Sequence, residues 1–420
     1  MIRLLDFGGG HMKRMSAKWK VLVLHALSVA GIALGFAGSV AAGPAPARIN
    51  STPTSLQGNS EVMISLRHQD HMWEAANGET YLVINRGLPA SQGSLQLYSS
   101  PDQGLSWFPG PRLPGSSRNS FSDGYLDGNI LYLTYTNTAG EVVFTALQRR
   151  AGPAVATWKT IWSDTAFSSP DVFADNPAVA VDAVGTIWLA FVAEDIATGN
   201  YSIRMLRNSS REEGWVDTGL TFGDVDNLSI ERSAKPVPTA TGMGLVYAVH
   251  NQILWASREN DWPLDQPWTG QVVFTSSSSD NDPYSSHFSI AADARHDIHM
   301  SLSDGDRVGY SRYDAATREW KSKWLTGNIN VAYIQTSIVA GDVVVTANNG
   351  SSRLMVYRSV DGGNSFTLPY TLEHPTPGNG VSYVYARMET AATTAGPMLV
   401  LQQYIDNNTQ RLLRFSVPLP

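Results

Sequence analysis

The apolar residues of this chain are grouped in short runs that alternate with polar segments along most of its length. Seven runs are seven or eight residues long and rich in the β-branched and aromatic residues that favour strands. A second strand-like segment precedes each run, and a third follows all but the last. No helix longer than a turn or two is indicated. The runs read ETYLVINR, NILYLTYT, TIWLAFV, GLVYAVH, DIHMSLS, VVVTANN and PMLVLQQY.

An aromatic residue closes most of these units, at successive spacings of 51, 57, 53, 52 and 46 residues. A period of about 50 residues, with three or four strands per unit, is typical of a β-propeller. We therefore predict an all-β protein with a single propeller of seven blades, each a four-stranded antiparallel sheet. Six blades is the alternative, because the fourth unit is irregular in its first strand. The closing residues are Trp107, Trp158, Trp215, Trp268, Trp320 and Phe366.

The repeated region has a strand-like segment near each end, EVMISL early and RLLRFSVPLP at the C-terminus. We expect one of them to complete a blade with strands from the other end of the chain. Such closure leaves no long open sheet edge. A two-sheet sandwich is the competing fold, but its turns would not regroup at this regular spacing.

The N-terminal region has the pattern of an export signal. Basic residues precede an apolar run over 21–40, and Val40-Ala41-Ala42 supplies the small residues that a signal peptidase needs. We expect cleavage near Ala42. The alternative is an uncleaved anchor, because the run is long enough to span a bilayer.

The predicted organisation has three parts: a signal peptide over 1–42, a Pro/Ala/Ser-rich linker over 43–60 and the propeller over 61–420. The first residues look unlike a leader, so Met12 or Met15 is a candidate for the true start. We expect the mature protein to be secreted or periplasmic, without a stable membrane span after cleavage.

Composition argues against several classes of function. The net charge is −7 and the mature part has no Lys/Arg-rich run, so we predict no nucleic-acid partner. The chain has no cysteine, which removes disulfides, thiolate nucleophiles and cysteine metal sites. We predict a monomer with no catalytic metal and no cofactor, while leaving room for a structural calcium ion.

Two segments share the pattern S-x-D-x-G-x-x-W/F, from Ser100 to Trp107 and from Ser359 to Phe366. In each, the Asp side chain can accept hydrogen bonds from the backbone of its own turn. Gly takes a positive φ there at little cost, and the aromatic residue packs beneath the turn. The repetition suggests that one structural unit occurs more than once.

These turns resemble the Asp-box, or BNR, repeats of the sialidase superfamily, and the C-terminal region resembles the end of a sialidase. Arg353 to Gly363 reads RLMVYRSVDGG, followed by Tyr385-Ala-Arg-Met388, then MLVLQQY and RLLRFSVPL. The resemblance implies a propeller with Arg353 as a carboxylate-binding arginine and Tyr385 as the nucleophile. It also implies that the Asp-box turns are structural and face away from the channel.

The rest of the sialidase site does not carry over. The family's first arginine lies in an R-I-P element, where this chain reads LRHQDH over 66–71. The family's acid/base aspartate should follow, but the loop LPASQG has no carboxylate. For the family's glutamate and second arginine, the nearest segments are 230–233 and 286–289.

In a propeller, the start of each innermost strand faces the central channel, so polar residues there converge from every blade. Three arginines could clamp a carboxylate through bidentate hydrogen bonds, which favours an acidic oligosaccharide or polysaccharide as partner. The substrate-binding candidates are Arg353, Arg232, Arg387, His68, Asp123 and Gln335. The catalytic candidates are Tyr385, Glu231, His287, His71 and Asp70.

The first hypothesis is a glycoside hydrolase that cleaves an acidic sugar from a glycan. Tyr385 would attack the anomeric carbon with Glu231 as its base. Asp70 or Asp123 would protonate the leaving group. The C-terminal motif favours this hypothesis, and we place it first.

The second hypothesis is a polysaccharide lyase acting by β-elimination on a uronic acid. Arginines would neutralise the carboxylate, His287 or His71 would take the C5 proton, and Tyr385 would protonate the departing oxygen. Seven blades and a His-rich, acid-poor centre favour it. A non-catalytic glycan-binding propeller ranks third, because the units share strand patterns rather than near-identical pockets.

Overall fold

The computed structural model describes residues 47–417 with gaps, so the predicted signal peptide lies outside the described residues. The gaps fall at 61–62, 65, 67, 227–232, 250, 264–265, 276–287, 305–306, 326–332, 349–352, 374–382, 389, 391–397 and 407–408. Only the backbone is described at 223–226, 348, 353, 369, 372–373, 383–388, 398, 401 and 403–406.

Seven sheets form the blades, each built on four antiparallel strands, which confirms the predicted all-β, seven-bladed propeller. Two strands precede blade 1: β1 (Ala47–Asn50) and β2 (Thr52–Gly58). Blades 1 to 3 consist of β3 (Met72–Glu74), β4 (Thr80–Asn85), β5 (Leu95–Ser100) and β6 (Phe108–Arg112); β7 (Ser122–Asp127), β8 (Ile130–Thr136), β9 (Val142–Arg150) and β10 (Thr157–Phe167); and β11 (Val172–Val181), β12 (Ile187–Asp195), β13 (Tyr201–Asn208) and β14 (Val216–Asp226).

The remaining blades follow the same order from the innermost strand outwards. Blades 4 and 5 consist of β15 (Ser233–Pro238), β16 (Gly242–Val249), β17 (Gln252–Glu259) and β18 (Thr269–Thr275); and β19 (Phe288–Ala292), β20 (Ile298–Ser303), β21 (Val308–Asp314) and β22 (Glu319–Trp324). Blades 6 and 7 consist of β23 (Tyr333–Val339), β24 (Asp342–Asn348), β25 (Arg353–Ser359) and β26 (Thr367–Glu373); and β27 (Tyr383–Met388), β28 (Met398–Asp406) and β29 (Thr409–Ser416), with β2 outermost.

The seven apolar runs form the second strand of each blade, where both faces are covered by neighbouring blades. Every residue of β4 and of β20 is buried, whereas the outer strands β18 and β22 are mostly exposed. Near-continuous apolar runs are typical of strands buried on both faces. Among the described residues, the only helical element is a single 3-10 turn, Ala90–Gln92, and no helix there is long and apolar enough to span a bilayer.

The closing aromatic of one blade packs edge-on against an aromatic of the preceding blade, which explains their regular spacing. Such edge-to-face pairs add to the stabilisation from burial alone. Trp107 of blade 1 packs against a cluster that contains Leu56 and Val400 of blade 7. The ring-centroid distances are 4.8 Å for Trp158–Tyr81, 5.1 Å for Trp215–Phe144, 5.8 Å for Trp268–Trp188, 5.6 Å for Trp320–Trp255 and 4.8 Å for Phe366–Tyr310.

The ring closes through a strand that the sequence did not single out. β2 lies within the segment expected to be a linker and pairs antiparallel with β29, from Thr52 opposite Arg414 to Gly58 opposite Gln410. RLLRFSVPLP supplies most of β29, the third strand of blade 7, and the N-terminal strand β2 completes that blade as its outermost strand. Of the two candidate segments, EVMISL forms no strand at its described residues: Met63 and Ile64 lie in a buried turn.

The N-terminal strands hold two blades together. β1 pairs in parallel with β26 as a fifth strand of blade 6, and the chain then crosses to form the outer edge of blade 7 as β2. Pro53 lies in this edge strand, where a missing backbone N–H is tolerated. Thr54 donates its hydroxyl to the Leu412 carbonyl at 2.9 Å, and Leu56 is buried.

The two S-x-D-x-G turns have the same hydrogen bonds. In both, the Asp carboxylate accepts the Ser Oγ–H two residues earlier and the backbone N–H four residues later, at 2.9 and 2.8 Å for Asp102 and 2.7 and 2.8 Å for Asp361. They follow the third strands of blades 1 and 6, at the end where the innermost strands finish. They therefore lie at the opposite end from the start of those strands.

A glycine in the second turn is expected to be important for stability. Gly363 has φ +86°, and a Cβ there would lie 1.8 Å from the Tyr310 hydroxyl. We expect Gly363→Ala to lower the free energy of unfolding by about 1–3 kcal/mol beyond the conformational cost. Gly78→Ala is the matched control, since φ is +83° and nothing lies within 4 Å, and should cost about 1–2 kcal/mol. Equal losses in urea unfolding would contradict the packing argument.

Candidate functional site

The starts of the innermost strands place charged side chains from three blades at one level of the channel. Asp123 in β7 and Lys235 in β15 each lie opposite the fifth residue of the second strand of their blade, as does Gln335 in β23. Asp70 lies two residues before β3. Residues that are far apart in sequence therefore meet here, as the propeller geometry predicts.

Asp123 is the centre of this arrangement and is fully buried. Its Oδ1 and Oδ2 accept hydrogen bonds from Lys235 Nζ at 2.6 and 2.7 Å. Oδ1 also accepts the Asp70 backbone N–H at 2.6 Å, and Oδ2 the Val179 backbone N–H at 2.7 Å. A carboxylate offers about four lone-pair sites, so these donors satisfy the buried group.

Lys235 joins Asp123 to the carboxylate of Asp70, whose Oδ2 lies 2.9 Å from Nζ. The Asp70 side chain is 35% exposed, against 6% for Lys235 and 0% for Asp123. We call these three residues the Asp–Lys–Asp cluster. Asp123 holds Asp70 in two ways, by accepting the Asp70 backbone N–H and through Lys235. Asp70 is by far the most exposed of the three.

Burial and charge oppose one another within the cluster. Burial raises the pKa of the Asp123 carboxyl, and the Lys235 ammonium only partly offsets that effect. Burial by itself would lower the pKa of Lys235, but the carboxylates of Asp123 and Asp70 outweigh it, and the pKa is raised. Lys235 therefore stays charged and is unsuited to act as a base.

A bulge in β11 borders the cluster. Asp175 pairs with Val192 and Ala178 with Ala190, so two residues of β11 oppose one of β12. Asn176 in the bulge has φ +49°, which is uncommon for a residue other than glycine. The Pro177 carbonyl accepts a hydrogen bond from Gln69 Nε2 at 2.9 Å. Gln69 thus braces blade 3 against the segment that carries Asp70.

The two histidines and the glutamine predicted nearby are buried. His68, His71 and Gln335 are 1%, 3% and 2% exposed, respectively. The His68 ring lies 5.7 Å from the Phe288 ring, centroid to centroid. The three predicted residues therefore expose almost no surface to solvent.

The other predicted site residues are described in part or not at all. Glu231, Arg232 and His287 lie outside the described residues. Tyr385 and Arg387 lie in β27, of which only the backbone is described, and Tyr385 falls between the paired residues Val384 and Ala386 at a register shift.

Arg353 is also known only from its backbone. It begins β25, the third strand of blade 6, at the end of that blade where β23 begins. The Arg353 backbone therefore lies at the same end of blade 6 as the start of its innermost strand, β23.

The sequence analysis gave no role to Gln69 and did not predict the β11 bulge. A usable signal was present, since Asn176-Pro177 interrupts an otherwise apolar strand, and proline inside a strand marks a bulge or an edge. Among the described side chains, no group of three or more His, Cys, Asp or Glu could hold a metal ion.

The chain is similar in structure to several solved proteins. Trypanosoma rangeli sialidase in complex with the inhibitor DANA is 11% identical, with a TM-score of 0.46 over 72% of this chain and 54% of that one. The polysaccharide lyase Uly1 is 10% identical, with a TM-score of 0.47 over 83% and 90%. SapL1 lectin in complex with alpha methyl fucoside is 10% identical, with a TM-score of 0.46 over 75% and 98%.

This chain thus spans about half the length of the sialidase, 54% by the aligned share. No protein-family model and no curated protein matches the sequence. The three similar structures include two kinds of enzyme and a lectin, and none of them assigns an activity to this chain.

Proposed function

We propose that this chain is an extracytoplasmic glycoside hydrolase that cleaves an acidic sugar from a glycan. The observation that carries the proposal is the Asp–Lys–Asp cluster, which holds the half-buried Asp70 at the level where the innermost strands converge. A rigidly held carboxylate at the end of a channel suits a site that binds sugar hydroxyls, because a carboxylate accepts several hydrogen bonds. The sialidase-like C-terminal motif supports an acidic sugar as the substrate.

In this proposal Tyr385 attacks the anomeric carbon and gives its proton to Glu231. Arg232, Arg353 and Arg387 bind the sugar carboxylate. Asp70 is ion-paired with Lys235 and therefore acts as a carboxylate that orients the sugar. This assigns Asp70 a role different from the proton donor expected from sequence.

The lyase stays second because of the position of its candidate base. His71 is 3% exposed, so a substrate could not reach its ring without rearrangement, whereas the Asp70 side chain is 35% exposed. The other candidate base, His287, lies outside the described residues.

A substrate screen tests the proposal directly. The chain beginning at Gly43 would be incubated with sialosides and with uronate-containing polysaccharides, while released reducing sugar and the ultraviolet absorbance of an unsaturated uronate are followed together. We expect reducing ends without new absorbance. A rise in absorbance would establish β-elimination instead, and saturable binding without turnover would make the protein a lectin.

Within the hydrolase, Asp70→Asn should lower kcat/KM by about 100- to 1,000-fold, because it removes a charged hydrogen-bond acceptor at the substrate. Asp127→Asn is the matched control, since Asp127 is an exposed carboxylate at the far end of the strand that carries Asp123. Equal activity of the two variants would remove Asp70 from the site.

A further inference from the structure

Hydrolysis of a glycoside needs a proton for the departing oxygen, and the Asp–Lys–Asp cluster does not supply one. Asp123 is fully buried, and Asp70 is committed to Lys235 at 2.9 Å. A third carboxyl group, Asp175, lies at the start of the β11 bulge, between the blades that carry Asp123 and Lys235.

Asp175 lies in surroundings unlike those of Asp70. It is half-buried, and it has no ion-pair partner among the described residues. Its Oδ1 accepts the Asn176 backbone N–H at 2.8 Å. Burial raises the pKa of Asp175 to about 6, the nearby charge of Glu194 acts in the same direction, and the Asn176 N–H only partly opposes them.

The bulge that presents Asp175 is held in place from both sides. Gln69 Nε2 donates to the Pro177 carbonyl at 2.9 Å, and the Val179 N–H donates to Asp123 at 2.7 Å. Between these two hydrogen bonds, Asn176 has φ +49°. Bulges and strained residues of this kind are concentrated at functional sites, where they aim a side chain.

We infer that Asp175 is the proton donor of the hydrolase, acting from the entrance side of the Asp–Lys–Asp cluster. This inference rests on the proposed function. Two carboxyl groups in different environments take different roles: Asp70, beside an ammonium, binds as a carboxylate, and Asp175, without one, carries a proton.

The two steps of the reaction balance. In the first, the Tyr385 oxygen bonds to the anomeric carbon, the glycosidic C–O bond breaks, and the Asp175 proton moves to the departing oxygen, while Glu231 takes the phenol proton. In the second, water attacks the anomeric carbon and gives a proton to the Asp175 carboxylate. Tyr385 then leaves and recovers its proton from Glu231.

The test compares leaving groups. Wild type and Asp175→Asn would be assayed on methyl and 2,4-dinitrophenyl glycosides of N-acetylneuraminic acid and of glucuronic acid. We expect kcat/KM to fall by about 100- to 1,000-fold on the methyl glycosides, whose leaving oxygen needs the proton. On the dinitrophenyl glycosides, whose leaving group needs none, the loss should be less than about tenfold. Asp171→Asn, an exposed carboxylate four residues earlier, is the control and should match wild type.

The pH profile gives a second readout. Wild-type activity on the methyl glycoside should fall as pH rises through about 6, because a proton donor is active only while protonated. Asp175→Asn assayed on the dinitrophenyl glycoside should lack that fall. Equal losses on both leaving groups, or an unchanged profile, would overturn the role of Asp175 while leaving the hydrolase in place. A wild-type protein that cleaves none of the four glycosides would overturn both proposals.

Thermal unfolding of Asp175→Asn distinguishes a loss of catalysis from a loss of folding. The charged form of Asp175 is disfavoured in the folded protein, so Asp175→Asn should raise the Tm above pH 6 and have less effect at lower pH. A lower Tm across the whole range would mean that Asp175 is structural, and the inference would fail.

Discussion

Replacing Lys235 by methionine is expected to lower the free energy of unfolding by about 3–5 kcal/mol. The ammonium donates to both oxygens of Asp123 and lies 2.9 Å from Asp70. Methionine keeps much of the side-chain length but removes the charge, which leaves the buried Asp123 carboxylate with only two backbone donors. An uncompensated buried charge is among the most destabilising consequences of a single substitution.

The loss should depend on pH. Burial already raises the pKa of Asp123, and removing Lys235 takes away the opposing charge, so the pKa rises further. Between its unfolded and folded pKa values the folded protein then holds a proton that the unfolded chain has released. Lys235→Met should therefore recover stability relative to wild type as pH falls from about 8 to about 5.

Two further variants complete the measurement, which is urea unfolding at several pH values. Arg318→Met removes an exposed cation 2.8 Å from Glu259 and should cost less than about 1 kcal/mol. The double variant Lys235→Met, Asp123→Asn should regain part of the lost unfolding free energy, because the amide at position 123 is neutral and leaves no unpaired buried charge. If the loss of unfolding free energy in Lys235→Met did not depend on pH, lost packing and not the unpaired Asp123 carboxylate would be responsible.

The second large effect is expected from removing the strands that close the ring. A chain that begins at Asn59 lacks β1 and β2, so the third strand of blade 7 and the outer strand of blade 6 become open edges. The buried Leu56 is lost as well, and its truncation alone is worth about 2–5 kcal/mol. We expect this chain to lose its cooperative thermal transition and to self-associate through the exposed edges.

The comparison chain begins at Gly43, the residue after the expected cleavage site, and should unfold cooperatively. Point variants within β2 test whether burial explains the effect. Leu56→Ala should cost about 2–5 kcal/mol, whereas Gln57→Ala, an exposed neighbour on the other face, should stay within about 0.5 kcal/mol. A chain from Asn59 that melts like the longer one would show that closure contributes little.

The sequence predicted the blades because each has a buried second strand, such as β4 or β20, whose apolar run stands out. It did not predict β2, and the reason is physical. Only alternate residues of β2 are buried, among them Thr54, Leu56 and Gly58, and Pro53 lies on its exposed edge. An edge strand of this kind has too few apolar residues to be distinguished from a linker. EVMISL has the apolar composition of a strand, but its residues Met63 and Ile64 are buried in a turn.

For the site, the sequence predicted polar residues at the innermost-strand starts but not the contacts between them. Asp70 and Asp123 were expected at innermost-strand starts, and the structure joins them through Lys235. Which carboxylate is buried depends on side-chain packing between blades, which no local pattern encodes. Burial of His71 and the strained Asn176 are likewise consequences of contacts between segments far apart in the chain.

The pairing of β2 with β29 also constrains how the protein is made. Thr54 and Leu412, joined by a hydrogen bond, are separated by 358 residues, so β2 leaves the ribosome long before its partner β29 has been made. Contacts of such long range make folding slow, because the loop-closure entropy must be lost before the pairing contributes any stability. Throughout that interval β2 is an unpaired strand, and the chain is open to self-association through it.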